Sequence, residues 1–192
     1  RLSGAIEFAE KCKSLNKKFI FVLGNHDYYS SNYSSVVNFL KENYPKNALL
    51  DDNHIKIQDK IFVGGTLFTN FRSNSPLTSP EVLLQSQKDA EQSIYDFDQI
   101  MIGSDHRTIT ANDYIELFKK YHENIMKFKD QDNVIVITHF PPHLACLDPY
   151  WGTHPVASAL NPYFINDLDI KGFKLWIAGH THTSVDTVVD GC

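Results

Sequence analysis

The chain has 192 residues, of which 42% are hydrophobic and 21% are charged, and these proportions are typical of one soluble globular domain. Its formal net charge of −5 argues against a basic groove for nucleic-acid phosphates, so nucleic acid is not a favoured partner. The 3 cysteines have no short spacing, which argues against a disulfide scaffold and against a cysteine-based zinc site. No apolar run reaches the length of a membrane span and no signal peptide opens the chain, so we expect a cytoplasmic protein without a membrane partner.

Hydrophobic periodicity predicts a helix first, from Leu2 to Leu15. The continuous apolar run over residues 19–23 then predicts a strand that is buried on both faces, as in a parallel sheet covered by helices. Further along, the pattern indicates a short helix over 34–42 and two strands over 54–58 and 61–68. Mixed helices and strands of this kind predict an α/β fold.

Capping signals predict the helices in the second half of the chain. Ser79 is expected to cap a helix that begins at Pro80 and extends to about Ile94. The capping-box pattern at 110–113 predicts a helix that ends near Lys129. The remaining expected elements are a long loop over 140–155 and strands over 134–138, 173–178 and 184–189. We see no internal repeat or linker, so residues 1–192 are expected to form a single domain.

Polar side chains that can bind a metal follow three of the predicted apolar strands directly. They are Asn25, His26 and Asp27 after the first strand, His139 after strand 134–138, and His180 and His182 after strand 173–178. Because the carboxyl ends of strands in an open α/β sheet form the edge where ligands bind, we expect these side chains to surround one site. Three strands that end in this way are a stronger signal than any one of the short motifs.

The residue types indicate phosphate chemistry at a metal centre. Imidazole nitrogens suit zinc, iron and manganese, and an amide oxygen is a harder ligand. His180 and His182 are two residues apart, so on an extended segment both would point to one face and could supply one metal or two. Two metals about 3.5–4 Å apart can clamp a phosphate and activate a water. His26, with Asp27 beside it, is a candidate to protonate the leaving oxygen.

In this order, the segments Gly24–Asp27, Thr138–His139 and Gly179–His182 resemble the last three motif blocks of the calcineurin-like metallophosphoesterases. The resemblance covers nearly the whole chain. It implies a four-layer α/β sandwich, in which two mixed β-sheets pack together with helices outside. It also implies a phosphoesterase that hydrolyses phosphomonoesters or phosphodiesters through attack by a metal-bridging hydroxide.

The resemblance further implies a role for each site residue. Asn25, His139 and His180 would bind one metal ion and His182 the other. His26 would be the general acid or would stabilise the transition state, held by Asp27. The cofactor of the complete protein would be two divalent or trivalent ions of manganese, iron or zinc.

The first two motif blocks of that family, Asp-x-His and Gly-Asp-x-x-Asp or Asn, have no match ahead of Gly24. The chain contains no Gly-Asp pair, and its lone Asp-x-His, Asp52–His54, lies at the start of a predicted strand, which is the wrong end of the sheet. These blocks would supply the carboxylate that bridges the two metals. We therefore expect a truncated metallophosphoesterase domain, incomplete at both ends, and the activity of this chain alone stays open.

Two other hypotheses remain. Without the carboxylate blocks the chain could be an interaction scaffold on the same fold, or a mononuclear metal hydrolase that uses only the retained ligands. Arg107 is a candidate to bind a substrate phosphate, because a guanidinium fork matches phosphate oxygens. The sequence does not indicate the substrate or the oligomeric state.

Overall fold

The hydrophobic segments of the chain form two mixed β-sheets flanked by helices. The computed structural model describes residues 2–72, 79–150 and 155–192. Their helices are α1 (Leu2–Ser14), α2 (Tyr33–Asn43), α3 (Pro80–Ser93), α4 (Asp96–Gln99), α5 (Ala111–Met126) and α6 (Pro155–Phe164). Their strands are β1 (Ser31–Asn32), β2 (His54–Ile57), β3 (Lys60–Gly65), β4 (Ile100–Ile102), β5 (Arg107–Thr108), β6 (Val134–Thr138) and β7 (Trp176–Ile177). This architecture confirms the predicted fold class.

The larger sheet has the strand order β2-β3-β6-β7, and the smaller sheet has the order β1-β4-β5. In the larger sheet β2 is antiparallel to β3, whereas β3, β6 and β7 run parallel to one another. The register places Val63 opposite Val136 and Gly65 opposite Thr138. Because β6 and β7 run in the same direction, the residues that follow them emerge at the same edge of the sheet.

The core is rich in aromatic side chains, and it extends to the residues that follow β6. The aromatic residues with a relative exposure below 2% are Tyr28, Phe68, Phe71, Tyr114, Tyr121, Phe140, Tyr163 and Phe173. The ring centroids of Phe68 and Tyr114 are 4.7 Å apart, and the Phe140 centroid lies 4.0 Å from that of His180. Each buried ring contributes about 1.5–3 kcal/mol through burial. This tightly packed layer therefore supports one of the predicted metal ligands.

Both predicted helix caps are confirmed. The Ser79 hydroxyl accepts a hydrogen bond from the backbone N–H of Val82, and Pro80 occupies the first turn of α3. At the start of α5 the Thr110 hydroxyl accepts from the Asp113 N–H, while the Asp113 carboxylate accepts from the Thr110 N–H. These contacts satisfy backbone donors that have no partner inside the helix, so local sequence was sufficient to predict them.

The expected strand over 19–23 is wrong. The segment forms one isolated bridge, in which Phe21 pairs with Ala48, and residues 19–22 are only half-buried. The carbonyl of Leu23 accepts a hydrogen bond from the Thr66 hydroxyl at 3.0 Å, a side chain in place of a neighbouring strand's backbone N–H. The predicted strand 61–68 also ends early, at Gly65, because Leu67 and Phe68 have left-handed φ angles of 70° and 60°.

The predictions near the end of the chain also need correction. The expected strand 173–178 is short, because β7 contains only Trp176 and Ile177 and a turn occupies residues 170–173, although the Leu175 carbonyl also accepts from the Val136 N–H. Residues 184–189 form no strand, and Val188 is 78% exposed. The loop expected over 140–155 ends where α6 begins, at Pro155, in the first turn where proline is tolerated, and its residues 151–154 lie outside the described residues.

Candidate active site

A cleft of about 870 Å³ lies where the larger sheet ends and brings together the predicted site residues from three segments. Its lining includes Asn25, His26, Asp27, His139, His180 and His182. The first three lie on a 3₁₀ turn, Asn25–Tyr28, and the histidines follow β6 and β7. The ends of β6 and β7 and the 3₁₀ turn therefore surround one cavity with these side chains, although the turn that carries Asn25 does not follow a strand.

Three potential metal donors converge at the base of this cleft. The Nε2 of His139 lies 2.9 Å from the Oδ1 of Asn25 and 3.2 Å from the Nδ1 of His180. A single proton on His139 Nε2 can serve either the oxygen or the nitrogen, but not both. A cation would satisfy all three donor atoms at once. We refer to Asn25, His139 and His180 as the ligand cluster.

Burial keeps the two imidazoles of the ligand cluster in the form that binds metals. It lowers the pKa of His139 to about 4, and burial together with the neighbouring His139 holds the pKa of His180 well below its usual value. Both rings are therefore neutral near pH 7 and have lone pairs for a metal. The buried Nε2 of His180 has no hydrogen-bond partner among the described residues. The other ring nitrogen, Nδ1, is the one that faces His139 Nε2 in the ligand cluster.

The donor set of the ligand cluster is unusual in containing no carboxylate. Among the residues that the structure describes, no three or more His, Cys, Asp or Glu side chains are grouped so that they could hold a metal ion. The ligand cluster contains only two side chains of these types, since its third member is the amide of Asn25. Two imidazoles and one amide oxygen suit a first-row transition metal.

Close packing of Gly24 against His139 holds that ring in place. A Cβ atom at position 24 would lie 2.8 Å from the Cε1 of His139, which is closer than real Cβ contacts. The backbone of Gly24 is extended, with φ −85° and ψ 169°, so the glycine is needed for space and not for its conformational freedom. The missing side chain thus lets the 3₁₀ turn approach β6 closely enough for Asn25 to reach His139.

His26 lies at the exposed side of the cleft, with its ring centroid 4.6 Å from that of Tyr29. The Oδ2 of Asp27 accepts a hydrogen bond from the Gly24 N–H at 2.9 Å, which closes the 3₁₀ turn. Asp27 therefore fixes the backbone that carries both Asn25 and His26. An exposed imidazole at the mouth of the cleft is accessible to a leaving group.

The expectation that His180 and His182 lie on an extended segment is wrong. Both have left-handed φ angles, 69° and 56°, because the chain turns after Gly179 and the Thr181 N–H donates to the Gly179 carbonyl. His182 lines the cleft but is exposed. Left-handed backbone at two non-glycine residues costs free energy, and such strain is concentrated at functional sites.

Sequence reasoning missed Asp96, which is completely buried beside the ligand cluster. The Nδ2 of Asn25 donates to both oxygens of Asp96, at 2.9 and 3.0 Å. Three hydroxyl groups also donate to this carboxylate, from Tyr29 at 2.5 Å, Tyr163 at 2.6 Å and Tyr114. Asp96 is 71 residues from Asn25, so only the tertiary fold brings the two together and no local signal could have found the pair.

Arg107 does not line the cleft. Its guanidinium forms two hydrogen bonds with the Asp113 carboxylate, at 2.6 and 2.8 Å, on the exposed side of the smaller sheet. This ion pair lowers the pKa of Asp113. A direct phosphate contact would require Arg107 to leave Asp113, and the role of Arg107 stays a prediction.

Comparison with known proteins agrees with the geometry. A sequence model of the calcineurin-like phosphoesterases matches residues 3–184. The chain belongs to the calcineurin-like phosphoesterase family. It is also similar to "Uncharacterized protein L509" of Acanthamoeba polyphaga mimivirus, with 23% identity over 210 residues, covering 96% of this chain and 69% of the viral protein. No solved structure gives a significant match.

Membership in the calcineurin-like phosphoesterases confirms the resemblance seen in the sequence and indicates a phosphoesterase kind of function. The family is in general metal-dependent, which agrees with a cleft lined by histidines. No helix in the described part of the chain is long and apolar enough to cross a membrane.

Proposed function

We propose that this calcineurin-like phosphoesterase is a metal-dependent hydrolase of phosphate esters, with its active site in the cleft. The observation that carries the proposal is the ligand cluster, in which Asn25 Oδ1, His139 Nε2 and His180 Nδ1 converge. The cluster would hold one metal ion, and His182 would help to hold a second. Manganese, iron and zinc all suit these donors. When bound, the metal supplies a Lewis acid for the phosphoryl oxygen and lowers the pKa of water.

The residues of the chain itself account for the remaining steps. His26 would donate a proton to the leaving oxygen, since its ring is exposed at the mouth of the cleft. Asp27 would keep the 3₁₀ turn closed through its hydrogen bond to Gly24, so that His26 stays aligned with the ligand cluster. Buried aromatic residues such as Phe140 and Tyr163 would exclude water from behind the ligand cluster.

The walls of the cleft favour a phosphodiester over a phosphomonoester. Among the described residues that line it there is no lysine or arginine. No cationic side chain is therefore placed to bind the second negative charge that a phosphomonoester carries and a phosphodiester lacks. The walls are largely apolar, with Val22, Ile94, Leu147, Leu160 and Phe164. Tyr95, which is 60% exposed, makes an edge contact with Tyr29. An apolar or aromatic ester group would fit beside these rings.

The test compares hydrolysis by the wild-type chain and by His139→Gln, with manganese added. We expect bis(p-nitrophenyl) phosphate to be cleaved faster than p-nitrophenyl phosphate. We expect the hydrolysis rate of His139→Gln to be lower by about 100-fold or more, because the variant removes a proposed metal ligand. His106→Asn is the matched control, because His106 is exposed outside the cleft and has φ 55°, which asparagine tolerates. Equal activity in His139→Gln and the wild type would refute the proposal.

The mononuclear alternative has a specific observation in its favour. The three donors of the ligand cluster converge on one position, whereas His182 is exposed. Elemental analysis of the manganese-loaded chain separates the two versions. Two ions per chain support the dinuclear site, and one ion that is lost in His139→Gln supports the mononuclear hydrolase.

A further inference from the structure

The buried carboxylate of Asp96 is surrounded by hydrogen-bond donors. Its two oxygens accept from the Asn25 amide and from the hydroxyls of Tyr29, Tyr114 and Tyr163. A buried carboxylate is costly unless its oxygens are satisfied, and here every one of these contacts is a donor. Such a group fixes the orientation of whatever donates to it.

The orientation of the Asn25 amide is what matters for the cleft. A side-chain amide has one acceptor oxygen and one donor NH₂, and the two ends look alike in shape. Because the carboxylate of Asp96 only accepts, it binds the NH₂ end, and Oδ1 then faces His139 Nε2 at 2.9 Å. If the amide were flipped, two oxygens would face each other at Asp96 and the NH₂ group would point toward the ligand cluster. A metal ion cannot bind an NH₂ donor of this kind.

The three tyrosines make this arrangement rigid. Tyr114 and Tyr163 are almost completely buried, and their pKa values are raised by burial and by the negative charge of Asp96, so both keep their protons and stay donors. Tyr29 reaches the same carboxylate from the cleft wall, where its ring lies 4.6 Å from that of His26. The carboxylate is thus tied to both the ligand cluster and the proposed general acid.

We propose that Asp96 is a positioning residue, which holds the Asn25 amide so that Oδ1 is presented to the metal. This inference rests on the proposed metal-dependent function. It assigns to Asp96 a contribution to metal affinity although Asp96 itself does not touch the metal. Residues that orient metal ligands in this way typically contribute about 10- to 100-fold to affinity.

The test measures manganese binding by isothermal titration calorimetry, with manganese alone as the probe. Asp96→Asn places an amide where the carboxylate was, and its NH₂ group removes the preference of Asn25 for one orientation. We expect manganese to bind this variant about 10- to 100-fold more weakly, although both histidine ligands, His139 and His180, are still present. Tyr114→Phe is the matched control, because it removes one donor to Asp96 but leaves both hydrogen bonds from Asn25 to Asp96, and we expect a clearly smaller loss.

A double variant separates positioning from a merely structural role. In Asn25→Asp combined with Asp96→Asn, the new carboxylate at position 25 has two equivalent oxygens, so one accepts from position 96 while the other faces the metal. We expect this double variant to bind manganese more tightly than Asp96→Asn alone. No such rescue, or wild-type binding by a folded Asp96→Asn, would overturn the inference. Wild-type protein that neither binds manganese nor hydrolyses esters would instead overturn the proposed function on which it rests.

Discussion

Gly24→Ala adds a single methyl group between the 3₁₀ turn and His139. The backbone at position 24, with φ −85° and ψ 169°, accepts alanine without strain, so the fold should survive. The new Cβ would lie 2.8 Å from Cε1, 3.0 Å from Nδ1 and 3.1 Å from Nε2 of the His139 ring. The whole perturbation therefore falls on one proposed metal ligand.

The magnitude follows from these contacts. Ordinary van der Waals contact begins at 3.4 Å, so the ring must move away by about 0.6 Å. A binding constellation tolerates displacements of roughly 0.5 Å before it loses function. In the metal-free protein the ring can turn aside, but metal binding would force it back against the methyl group. Overpacking of this kind costs about 1–3 kcal/mol, which corresponds to about 5- to 150-fold weaker metal binding.

The assay is manganese titration of Gly24→Ala by calorimetry, with circular dichroism to monitor folding. Gly4→Ala is the matched control, since nothing lies within 4 Å of its Cβ position on α1. The control should keep wild-type manganese affinity and gain about 0.5–1 kcal/mol of stability from helix propensity. If folded Gly24→Ala binds manganese as tightly as the wild type, the packing of His139 against Gly24 does not determine the site.

Three further predictions address the general acid, the histidines and the cleft wall. His26→Ala should keep its metal and lose about 10²–10⁴-fold in turnover on esters with poor leaving groups, but much less on p-nitrophenyl esters, so equal losses would show that His26 does not protonate the leaving oxygen. Burial places the pKa of His139 at about 4, below the unfolded value near 6.5, so metal-free protein should lose stability as pH falls from about 6.5 to 4. Urea unfolding in the presence of a chelator should show that the free energy of unfolding depends less steeply on pH in His139→Gln than in the wild type. The same pH dependence in both proteins would contradict a lowered pKa for His139. Tyr95→Ala should reduce the preference for p-nitrophenyl phenyl phosphate over p-nitrophenyl methyl phosphate by about fivefold, whereas Tyr150→Ala, equally exposed outside the cleft lining, should leave that ratio unchanged.

Local signals were enough to predict α3 and α5, whereas α4 and α6 were not predicted. Ser79 and the pair Thr110 and Asp113 cap their helices as predicted, since each cap depends only on residues within one turn. The strand expected over 19–23 depended on a partner far along the chain, and the fold supplies only the single pairing at Ala48. Apolar content alone therefore predicted neither the full burial nor the strand pairing of this segment correctly.

The site likewise contains residues that the sequence could identify and one residue, Asp96, that only the tertiary fold reveals. His139 and His180 lie near each other because they follow parallel strands that end at the same edge, a rule that can be applied to sequence alone, whereas Asn25 follows a segment that forms only one bridge. Asp96 could not be found in this way, because its acidic segment looks like any exposed first turn of a helix. Its burial and its four donors come from tertiary packing. Whether these residues hold metal as proposed stays a prediction.

Anomalous X-ray scattering from crystals soaked in manganese tests the central claim most directly. We predict a peak in the cleft within bonding distance, roughly 2.0–2.3 Å, of Asn25 Oδ1, a nitrogen of His139 and a nitrogen of His180. A second peak near His182 would extend the site to two metals. The absence of a peak at the ligand cluster in crystals that show manganese elsewhere would contradict the account.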